Sequence, residues 1–458
     1  MEQRKQRVLI IGGGVSGLVC LRHLMHVSDV TLLEGRSSVG GLWAYLQEKN
    51  PIDQAIGGNI FQEKYGCQFR NIFDDLILNT PTVFSHFKDF PVSEEKPEFL
   101  TREEFNEYLK AYVEHFDLMS KVRLDAFVLE VKRVEKAENG STFMVKICNS
   151  INKNQTEVLY ADFVVVANGH NNVPYLPTWN GVATFPGQII HSHDFRRSDD
   201  PAIVGKSILV VGASFSGLDM LVQLFGHHLR GEANVKKVYF SGTLGEIKST
   251  TDFKKYIENE KLSLIDSRIE RIDGSQVFFK NGEKIDVDLI IPCTGYKFSF
   301  PFLNKEDNLI TMSDNNMYFG PLFRRTFAIN EPHLCFVGNV DRSCFIQQIM
   351  EYQALIIASY IKGELKLPGK EAMLLELENE LQELQGDLKR NFFKPGCACL
   401  EDNKIIEGFF ELLPALKKDE KFVENLNSVG KRIAEYFMKG DLLTYRKTIF
   451  RECIPDIQ

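Results

Sequence analysis

Short apolar runs that end at a glycine recur along the chain, and they predict buried strands of a parallel sheet. Val8 to Ile11 leads into a glycine-rich turn, and Ile208 to Val211 leads into a second turn roughly 200 residues later. A run without polar positions indicates a strand that is covered on both faces. After the first turn, apolar residues recur at helical spacing, which predicts a helix from Val15 to about His26. The same order of strand, turn and helix follows at the second turn.

The other patterned segments predict further elements around these two units. Val30 to Glu34 is a predicted buried strand that ends in a carboxylate. Residues 101–116 carry an N-cap, early acidic residues and a helical apolar stripe. The remaining predictions are hairpin-like strands at 127–134, 143–148 and 157–161, a buried strand at 334–338, and an acidic amphipathic helix at 371–390.

Two similar strands suggest how the units are connected. Residues 162–170 and 288–296 are both buried apolar runs that end in a turn, and the second glycine-rich unit lies between them. We therefore expect an α/β fold with two Rossmann-like domains, the smaller one inserted in the larger. The predicted larger domain consists of 1–174 and 294–458, and the inserted domain of 175–293.

Composition and charge narrow the class of protein. The chain has 458 residues, a hydrophobic fraction of 44% and a net charge of −8. This length predicts two or three domains, and the acidic balance argues against nucleic acid or an anionic membrane as the main partner. Nine cysteines without a disulfide-like pattern favour a reducing, cytoplasmic location. We expect neither a signal peptide nor a membrane helix, we predict no metal site, and homo-oligomers remain open.

The first turn has the residues that bind a dinucleotide. Glycines allow the backbone to approach a pyrophosphate, and a helix N-terminus offers N–H groups and a partial positive charge. Glu34 lies about 20 residues beyond the first glycine, where an acid accepts hydrogen bonds from an adenosine ribose. The candidate residues of this turn are Gly12, Gly13, Gly14, Val15, Ser16 and Gly17.

The second turn departs from this pattern in two ways. Ser214 takes the place of the middle glycine, and Ser241-Gly-Thr243 follows the next strand without an acid for a ribose. The missing acid favours NADPH over NADH, although no arginine is evident for the 2′-phosphate. Lys236 and Lys237 could help there, but exposed strand lysines are the simpler interpretation.

Between the two turns the chain resembles the flavin-containing monooxygenases. The family pattern F-x-G-x-x-x-H-x-x-x-(Y/F) is similar to Phe185-Pro-Gly187-Gln-Ile-Ile-His191-Ser-His-Asp-Phe195. Other matching pieces are Gly40-Gly41-Leu42-Trp43, Leu78-Asn79-Thr80-Pro81, Ala167-Asn168-Gly169-His170, Thr294-Gly295-Tyr296 and Glu351-Tyr352-Gln353-Ala354. The resemblance extends over roughly residues 7 to 365. Thr82 and Asn168 differ from the usual family residues, which could alter cofactor contacts or hinging between the domains.

The resemblance implies an activity and a set of site residues. It implies that FAD is reduced by NADPH, reacts with O₂ to a C4a-hydroperoxide, and oxygenates a nucleophilic nitrogen or sulfur of a small molecule, such as an alkaloid amine or another xenobiotic. Asn79 is implied as the catalytic residue near the flavin edge. The implied FAD contacts, besides the first turn, are Glu34, Leu42, Trp43 and Thr80. The implied NADP contacts are Leu78, Asn79, Gly212, Ser214, Ser216, Gly217, Leu218 and Asp219, and the matching Thr294 and Gly295 are further cofactor candidates. Phe185, Gly187, His191 and Phe195 are expected to brace the junction between the domains.

Three alternatives remain open at this point. A Baeyer–Villiger monooxygenase acting on ketones has a related motif that ends in tryptophan, where this chain has Phe195. A disulfide reductase needs a redox cysteine pair, but Cys397 and Cys399 are far from the flavin segments in sequence. A non-catalytic flavoprotein redox sensor is supported only by Ser214.

Overall fold

The computed structural model describes residues 4–44, 72–134, 140–225, 234–249, 252–339, 345–383, 398–439 and 445. The described helices are α1 (Val15–Leu24), α2 (Arg102–His115), α3 (Phe215–Phe225), α4 (Lys254–Glu258), α5 (Ile346–Ile361), α6 (Lys370–Glu383), α7 (Ala398–Leu412) and α8 (Glu420–Lys439). The described strands are β1 (Arg7–Ile11), β2 (Asp29–Leu33), β3 (Val122–Arg123), β4 (Ala126–Arg133), β5 (Phe143–Asn149), β6 (Thr156–Ala161), β7 (Phe163–Val166), β8 (Val173–Pro174), β9 (Gln188–Ile189), β10 (Ser207–Val211), β11 (Lys237–Ser241), β12 (Leu262–Ile265), β13 (Ile269–Asp273), β14 (Gln276–Phe279), β15 (Lys284–Asp286), β16 (Leu289–Pro292), β17 (Tyr296–Lys297), β18 (Thr311–Met312), β19 (Phe319–Gly320), β20 (Leu322–Phe323), β21 (Phe327–Ala328) and β22 (Leu334–Phe336).

The larger sheet has the strand order β20-β21-β22-β7-β1-β2-β3 and is parallel from β22 to β3. Successive residues of β1, the middle strand of the parallel part, enter two different cores. Val8 and Ile10 pack with α1 and α5, whereas Leu9 and Ile11 pack with residues of the antiparallel sheet β4-β5-β6. Because both faces are covered, β1 has no polar position after Arg7, as the apolar run predicts.

The smaller sheet repeats this arrangement with the parallel order β12-β11-β10-β16-β9. Ile208 and Val210 of its strand β10 contribute to the core that contains α3, and Leu209 lies in a separate core with residues of β13 and β14. The α/β fold with two Rossmann-like units, the smaller inserted in the larger, is therefore confirmed.

The connections between the two sheets lie side by side. Strands β8 and β17 form an antiparallel ribbon in which Tyr296 is opposite Pro174. Beyond the ribbon, the amide of Tyr175 donates to the carbonyl of Gly295 at 2.8 Å. The ribbon lies close to the predicted crossing points, while the domain boundaries at 174 and 293 stay predictions.

A local sequence signal explains where α2 begins. Helix α2 begins with the capping box that the sequence predicts, because Thr101 and Glu104 satisfy each other's backbone N–H groups. Helix α1 ends at Leu24, slightly before the predicted end. Helix α6 covers the first part of the predicted acidic helix, and residues 384–390 of that prediction lie outside the described residues.

Candidate active site

The first turn is packed so tightly that only glycine fits at two positions. Gly12 has φ of 106°, in the region that disfavours other residues, and a Cβ there would lie 2.5 Å from the carbonyl oxygen of Ala167. A Cβ on Gly17 would overlap the carbonyl oxygen of Gly12. These contacts bring the N-terminus of α1 against the end of β1. The N-cap residue of α1 is Gly14, which has no side chain to cap the helix, and the first N–H groups of a helix can bind a phosphate.

Glu34 is held against this turn by the backbone. Its Oε2 accepts a hydrogen bond from the Gly13 amide at 2.6 Å, and its Oε1 accepts one from the Arg36 amide at 2.8 Å. Burial raises the pKa of Glu34, while the Arg36 guanidinium counteracts this shift. The fixed carboxylate at the end of β2 has the position and chemistry to accept hydrogen bonds from a ribose. The residues of the first unit therefore fit a dinucleotide.

A second glycine-rich loop lies against the first turn. The Gly40 amide donates to the Gly13 carbonyl at 2.8 Å, and a Cβ on Gly41 would lie 2.8 Å from the Cα of Gly14. Leu42 and Trp43 lie in the 3₁₀ turn of this loop, and the Trp43 ring contacts Phe105 edge-on with 4.6 Å between centroids. The loop thus brings two more of the predicted residues beside the first turn.

Arg36 is a residue of this region that the sequence interpretation missed. Its guanidinium donates to the carbonyl of Gly41 at 2.9 Å and to that of Ala44 at 3.1 Å. The side chain therefore connects the end of β2 with the loop. Its only sequence signal is a position two residues after Glu34.

Asn339 is a second missed residue near the first turn. It follows Gly338, whose backbone lies so close to Ser16 that an added Cβ would overlap the serine Oγ. The buried Oδ1 of Asn339 has no hydrogen-bond partner within the described part of the chain. It also lines a small pocket with Phe298 and Leu322, among others. A buried acceptor without a partner beside the nucleotide turn is consistent with a bound ligand.

The second turn has the same steric plan as the first. Gly212 has φ of 117°, and a Cβ there would overlap the carbonyl oxygen of Cys293. A Cβ on Gly217 would overlap the carbonyl oxygen of Gly212. The Leu218 amide donates to the Ser214 carbonyl at 3.0 Å, which makes Ser214 the residue before the first turn of α3. Ser216 lies in that first turn of α3, as Ser16 lies in that of α1.

The two units meet at Asn79. Its Nδ2 donates to Oδ2 of Asp219 at 3.1 Å, and Asp219 is a buried residue of α3. Leu78 is buried, and its amide donates to the Leu100 carbonyl at 2.9 Å. This bond attaches the segment to the chain just before α2. The Thr80 hydroxyl lies 2.8 Å from that of Ser85. The structure thus brings Leu78, Asn79 and Thr80 of the larger unit together with Asp219 of the inserted unit.

The segment from Phe185 to Phe195 contacts both units as well. A Cβ on Gly187 would collide with the Asp288 carbonyl and with the ring of Phe185, so this position requires glycine. The Phe195 ring contacts Phe73 edge-on at 5.9 Å between centroids, and Phe73 lies a few residues before Asn79. These packing contacts support the expected bracing role.

His191 is buried in this junction and packs against the ring of Tyr296 at 5.5 Å between centroids. Its Nδ1 accepts a hydrogen bond from the His193 amide at 3.1 Å. Burial, assisted by the neighbouring His193, lowers the pKa of His191 to about 4. The imidazole is therefore neutral near pH 7, which suits packing better than proton donation.

Thr294 and Gly295 lie at the crossing between the sheets. The Thr294 hydroxyl donates to the carbonyl of Tyr175, whose own amide donates to the carbonyl of Gly295. These bonds connect the two crossing strands. The predicted cofactor contact of both residues stays a prediction.

A metal is not required to explain the charged residues that cluster outside these turns. His23, Asp89 and Glu351 bring ligand atoms within 4.8 Å of one another. Arg22 pairs with Asp89 at 3.3 Å, and the Lys88 amide donates to Glu351 at 3.1 Å. Protein groups thus already partner both carboxylates.

None of the helices in the described ranges is long and apolar enough to cross a membrane.

Two Rossmann-like units, each with a glycine-rich turn before a helix and connected by the hydrogen bond between Asn79 and Asp219, are typical of a flavoprotein oxidoreductase of the two-Rossmann class. The comparison with known proteins gives the family. The sequence profile described as Flavin-binding monooxygenase-like matches residues 5–246 and 252–397. The chain belongs to this family and is a monooxygenase, which confirms the resemblance stated above.

The relatives of the chain include oxygenases of nitrogen and of sulfur compounds. The chain is 28% identical to senecionine N-oxygenase of Tyria jacobaeae over 83% of this chain and 76% of that protein. It is 28% identical to trimethylamine monooxygenase of Methylocella silvestris over 81% and 78%, respectively. The structure of S-allyl-L-cysteine S-oxygenase from Allium sativum superposes with a TM-score of 0.72 and 23% identity, over 93% of this chain and 98% of that one. The last comparison shows a shared fold.

Proposed function

We propose that this protein uses NADPH, FAD and O₂ to oxygenate a nucleophilic nitrogen or sulfur atom of a small molecule. The observation that carries the proposal is the hydrogen bond between Asn79 and Asp219. It connects a segment of the unit that would bind FAD with the helix that would bind NADP. One amide side chain of the first unit is thereby held against the second.

The proposed FAD site consists of the first turn and the residues around it. Gly12, Gly14 and the N-terminus of α1 would hold the pyrophosphate, and Glu34 would bind the adenosine ribose. The loop with Leu42 and Trp43 would cover the cofactor on one side. Thr80 would line the site next to Asn79.

The proposed NADPH site is the second turn with the start of α3. Gly212 and Gly217 provide the same close backbone approach, and Ser214 and Ser216 add hydroxyl groups that can donate to phosphate oxygens. Gly242 takes the position after β11 that Glu34 takes after β2. Since an acid would repel a 2′-phosphate, this position favours NADPH over NADH.

The flavin, held by the first turn and Glu34, would supply the oxygen chemistry, which is the activation of O₂ after reduction by NADPH and the transfer of one oxygen atom to a nucleophile. The protein's own task is to orient the reactants and to exclude water. Asn79 has the geometry for the first task, because an amide fixed by Asp219 can direct a hydrogen bond to the nicotinamide or the flavin edge. No general acid needs to be placed in this mechanism, which agrees with a neutral His191.

The comparisons support both an amine and a sulfide as substrate class. Phe195, in the position where the ketone-oxidising relatives have tryptophan, favours heteroatom oxygenation over Baeyer–Villiger chemistry. The proposed enzyme is cytoplasmic and acts on small molecules such as alkaloids or other xenobiotics, not on nucleic acid or a membrane. Its oligomeric state is left open.

The first test is a screen of NADPH oxidation in air over tertiary amines, thioethers and ketones, with the mass of each product measured. A product heavier by one oxygen from an amine or a thioether is expected. Anaerobic addition of NADPH should also bleach the flavin absorbance. A flavin that NADPH does not reduce would instead favour the redox-sensor alternative.

Asn79→Ala tests the proposed site directly. We expect the variant to retain FAD but to release hydrogen peroxide, with about tenfold less product per NADPH, because one oriented hydrogen bond is lost. Asn330→Ala is the control, since Asn330 donates a bond of the same length, 3.1 Å, to Asn308 at the surface. Unchanged oxygenation by Asn79→Ala would contradict the assignment.

A further inference from the structure

The C-terminal part of the chain continues beyond the family match. The profile of the family ends at residue 397, and the structure describes α7, α8 and Tyr445 after it. Helix α7 packs against α5 of the larger unit, and α8 packs against Gly245–Ser249 of the inserted unit. This segment, from Ala398 to Tyr445, therefore contacts both nucleotide-binding units.

Charged contacts attach the segment to the larger unit. Arg324 donates to Glu411 of α7 at 3.0 Å, and Gly408 leaves room for the arginine because a Cβ there would overlap its guanidinium. Lys88 forms an ion pair with the buried Asp419, directly before α8. The second contact places the start of α8 beside the segment that follows Asn79.

Tyr445 extends the segment to the candidate active site. Its side chain is fully buried, and its hydroxyl donates to the backbone carbonyl of Asn79 at 2.7 Å. Its ring packs edge-on against Phe99 with 4.8 Å between centroids. Asn79 is thus held at two atoms, by Asp219 at its side chain and by Tyr445 at its carbonyl.

We propose that Tyr445 is a positioning residue for Asn79. A buried phenol hydroxyl is stabilised by a hydrogen bond, and breaking that bond costs free energy. The bond therefore restricts the backbone at residue 79, whose carbonyl accepts it. Restricting the backbone keeps the Asn79 amide directed to the cofactors. The catalytic part of this inference rests on the proposed function, whereas the restriction of the backbone does not.

The test compares Tyr445→Phe with Tyr256→Phe in the FAD-bound protein. Tyr256 is the matched control, because its buried hydroxyl also donates to a backbone carbonyl, that of Phe225, at 2.7 Å. Tyr256 belongs to α4 and has no part in the proposed site. Each variant removes one hydroxyl and retains the ring, so both are expected to fold.

Two quantities are measured for each variant. The first is hydrogen–deuterium exchange of the peptide around residues 76–85, which does not depend on any activity. We expect Tyr445→Phe to accelerate this exchange about fivefold, the factor for a lost hydrogen bond, and Tyr256→Phe to leave it unchanged. The second is hydrogen peroxide released per NADPH oxidised, which should rise about fivefold in Tyr445→Phe alone, with FAD affinity unchanged.

The outcomes separate this inference from the proposed function. Unchanged exchange and peroxide release in Tyr445→Phe would overturn the inference, and so would equal changes in both variants. A wild-type protein that forms no oxygenated product would overturn the proposed function. In that case faster exchange in Tyr445→Phe alone would still establish the restriction of Asn79 by Tyr445, and unchanged exchange would refute it.

Discussion

The two glycine-rich turns share their backbone but differ in the residue that follows the second strand. In both units a Cβ added to the first glycine would clash with a carbonyl after the neighbouring strand, and a Cβ added to the last glycine would clash with the carbonyl of the first. After β2 stands Glu34, and after β11 stands Gly242. The backbone therefore provides a common cradle, and we propose that the side chain at this one position distinguishes the two nucleotides.

The residue after the second strand and the second residue of the turn depend on each other. A Cβ on Gly13 would lie 2.9 Å from Oε2 of Glu34, so the acid requires a glycine opposite. In the second unit the residues are exchanged, since Ala213 has a Cβ that would lie 3.1 Å from one added to Gly242. In each unit a glycine therefore lies opposite a residue with a side chain, Gly13 opposite Glu34 and Gly242 opposite Ala213. This explains why the second residue of the turn is glycine in the first unit and alanine in the second.

The largest expected effects come from the last glycine of each turn. In Gly17→Ala the new methyl group would overlap the Gly12 carbonyl, which we expect to cost about 3 kcal/mol and to abolish FAD retention. Gly217→Ala should retain FAD and weaken NADP⁺ binding about a hundredfold. The flavin-to-protein absorbance ratio and an NADP⁺ titration measure these effects. Gly369→Ala is the control, because a Cβ there has no neighbour within 4 Å. Loss of the same cofactor in both variants would refute the separate assignment of the two turns.

An exchange of the distinguishing residues should change the preferred nicotinamide cofactor. We expect the double variant Ala213→Gly/Gly242→Glu to shift the ratio of catalytic efficiencies from NADPH towards NADH about thirtyfold, because a carboxylate binds a ribose hydroxyl and repels a 2′-phosphate. Steady-state kinetics with both cofactors give this ratio. A ratio in the double variant equal to that of the wild type would show that this position does not select the nucleotide.

In the first unit, Glu34→Ala should weaken FAD retention.

The junction between the units contains a buried histidine, so the stability of the protein should depend on pH. Burial and His193 lower the pKa of His191 to about 4, against about 6.5 for an exposed histidine. Below pH 6.5 the unfolded chain binds a proton that the folded protein excludes, so stability is lost as the pH falls towards 4. From pH 8 to 5.5 this group should contribute a loss of about 1 kcal/mol. Denaturant unfolding of the wild type and His191→Gln would measure it, and equal pH dependence in the two proteins would contradict the assignment.

The sequence predicted those features of the site that arise from local backbone geometry. The glycines of both turns, Glu34 and the capping box at Thr101 can be identified because each acts on residues close by or at a fixed spacing. The partners of Asn79 could not be identified in this way. Asp219 lies 140 residues away and Tyr445 lies 366 residues away, and neither position has a pattern that indicates the contact.

Arg36 and Asn339 are two further residues whose contacts the sequence pattern does not indicate. A single polar residue after a strand has no periodic signal, and its role depends on which loop the fold places against it. Similarly, the pairing of Gly13 with Glu34 and of Ala213 with Gly242 becomes evident only when the strands are adjacent. The fold class and the crossing strands between the units could thus be predicted from the sequence, whereas the contacts of Asn79 with Asp219 and Tyr445 required the structure.

The most direct test of the central claim is the origin of the product oxygen. The FAD-bound protein would be supplied with NADPH and ¹⁸O₂, with trimethylamine and an alkyl thioether as probe nucleophiles, and the product mass would be measured together with NADPH consumed. We predict one ¹⁸O atom in the product for each NADPH oxidised. NADPH oxidation that yields only hydrogen peroxide with every nucleophile, or product oxygen that comes from water, would contradict the account.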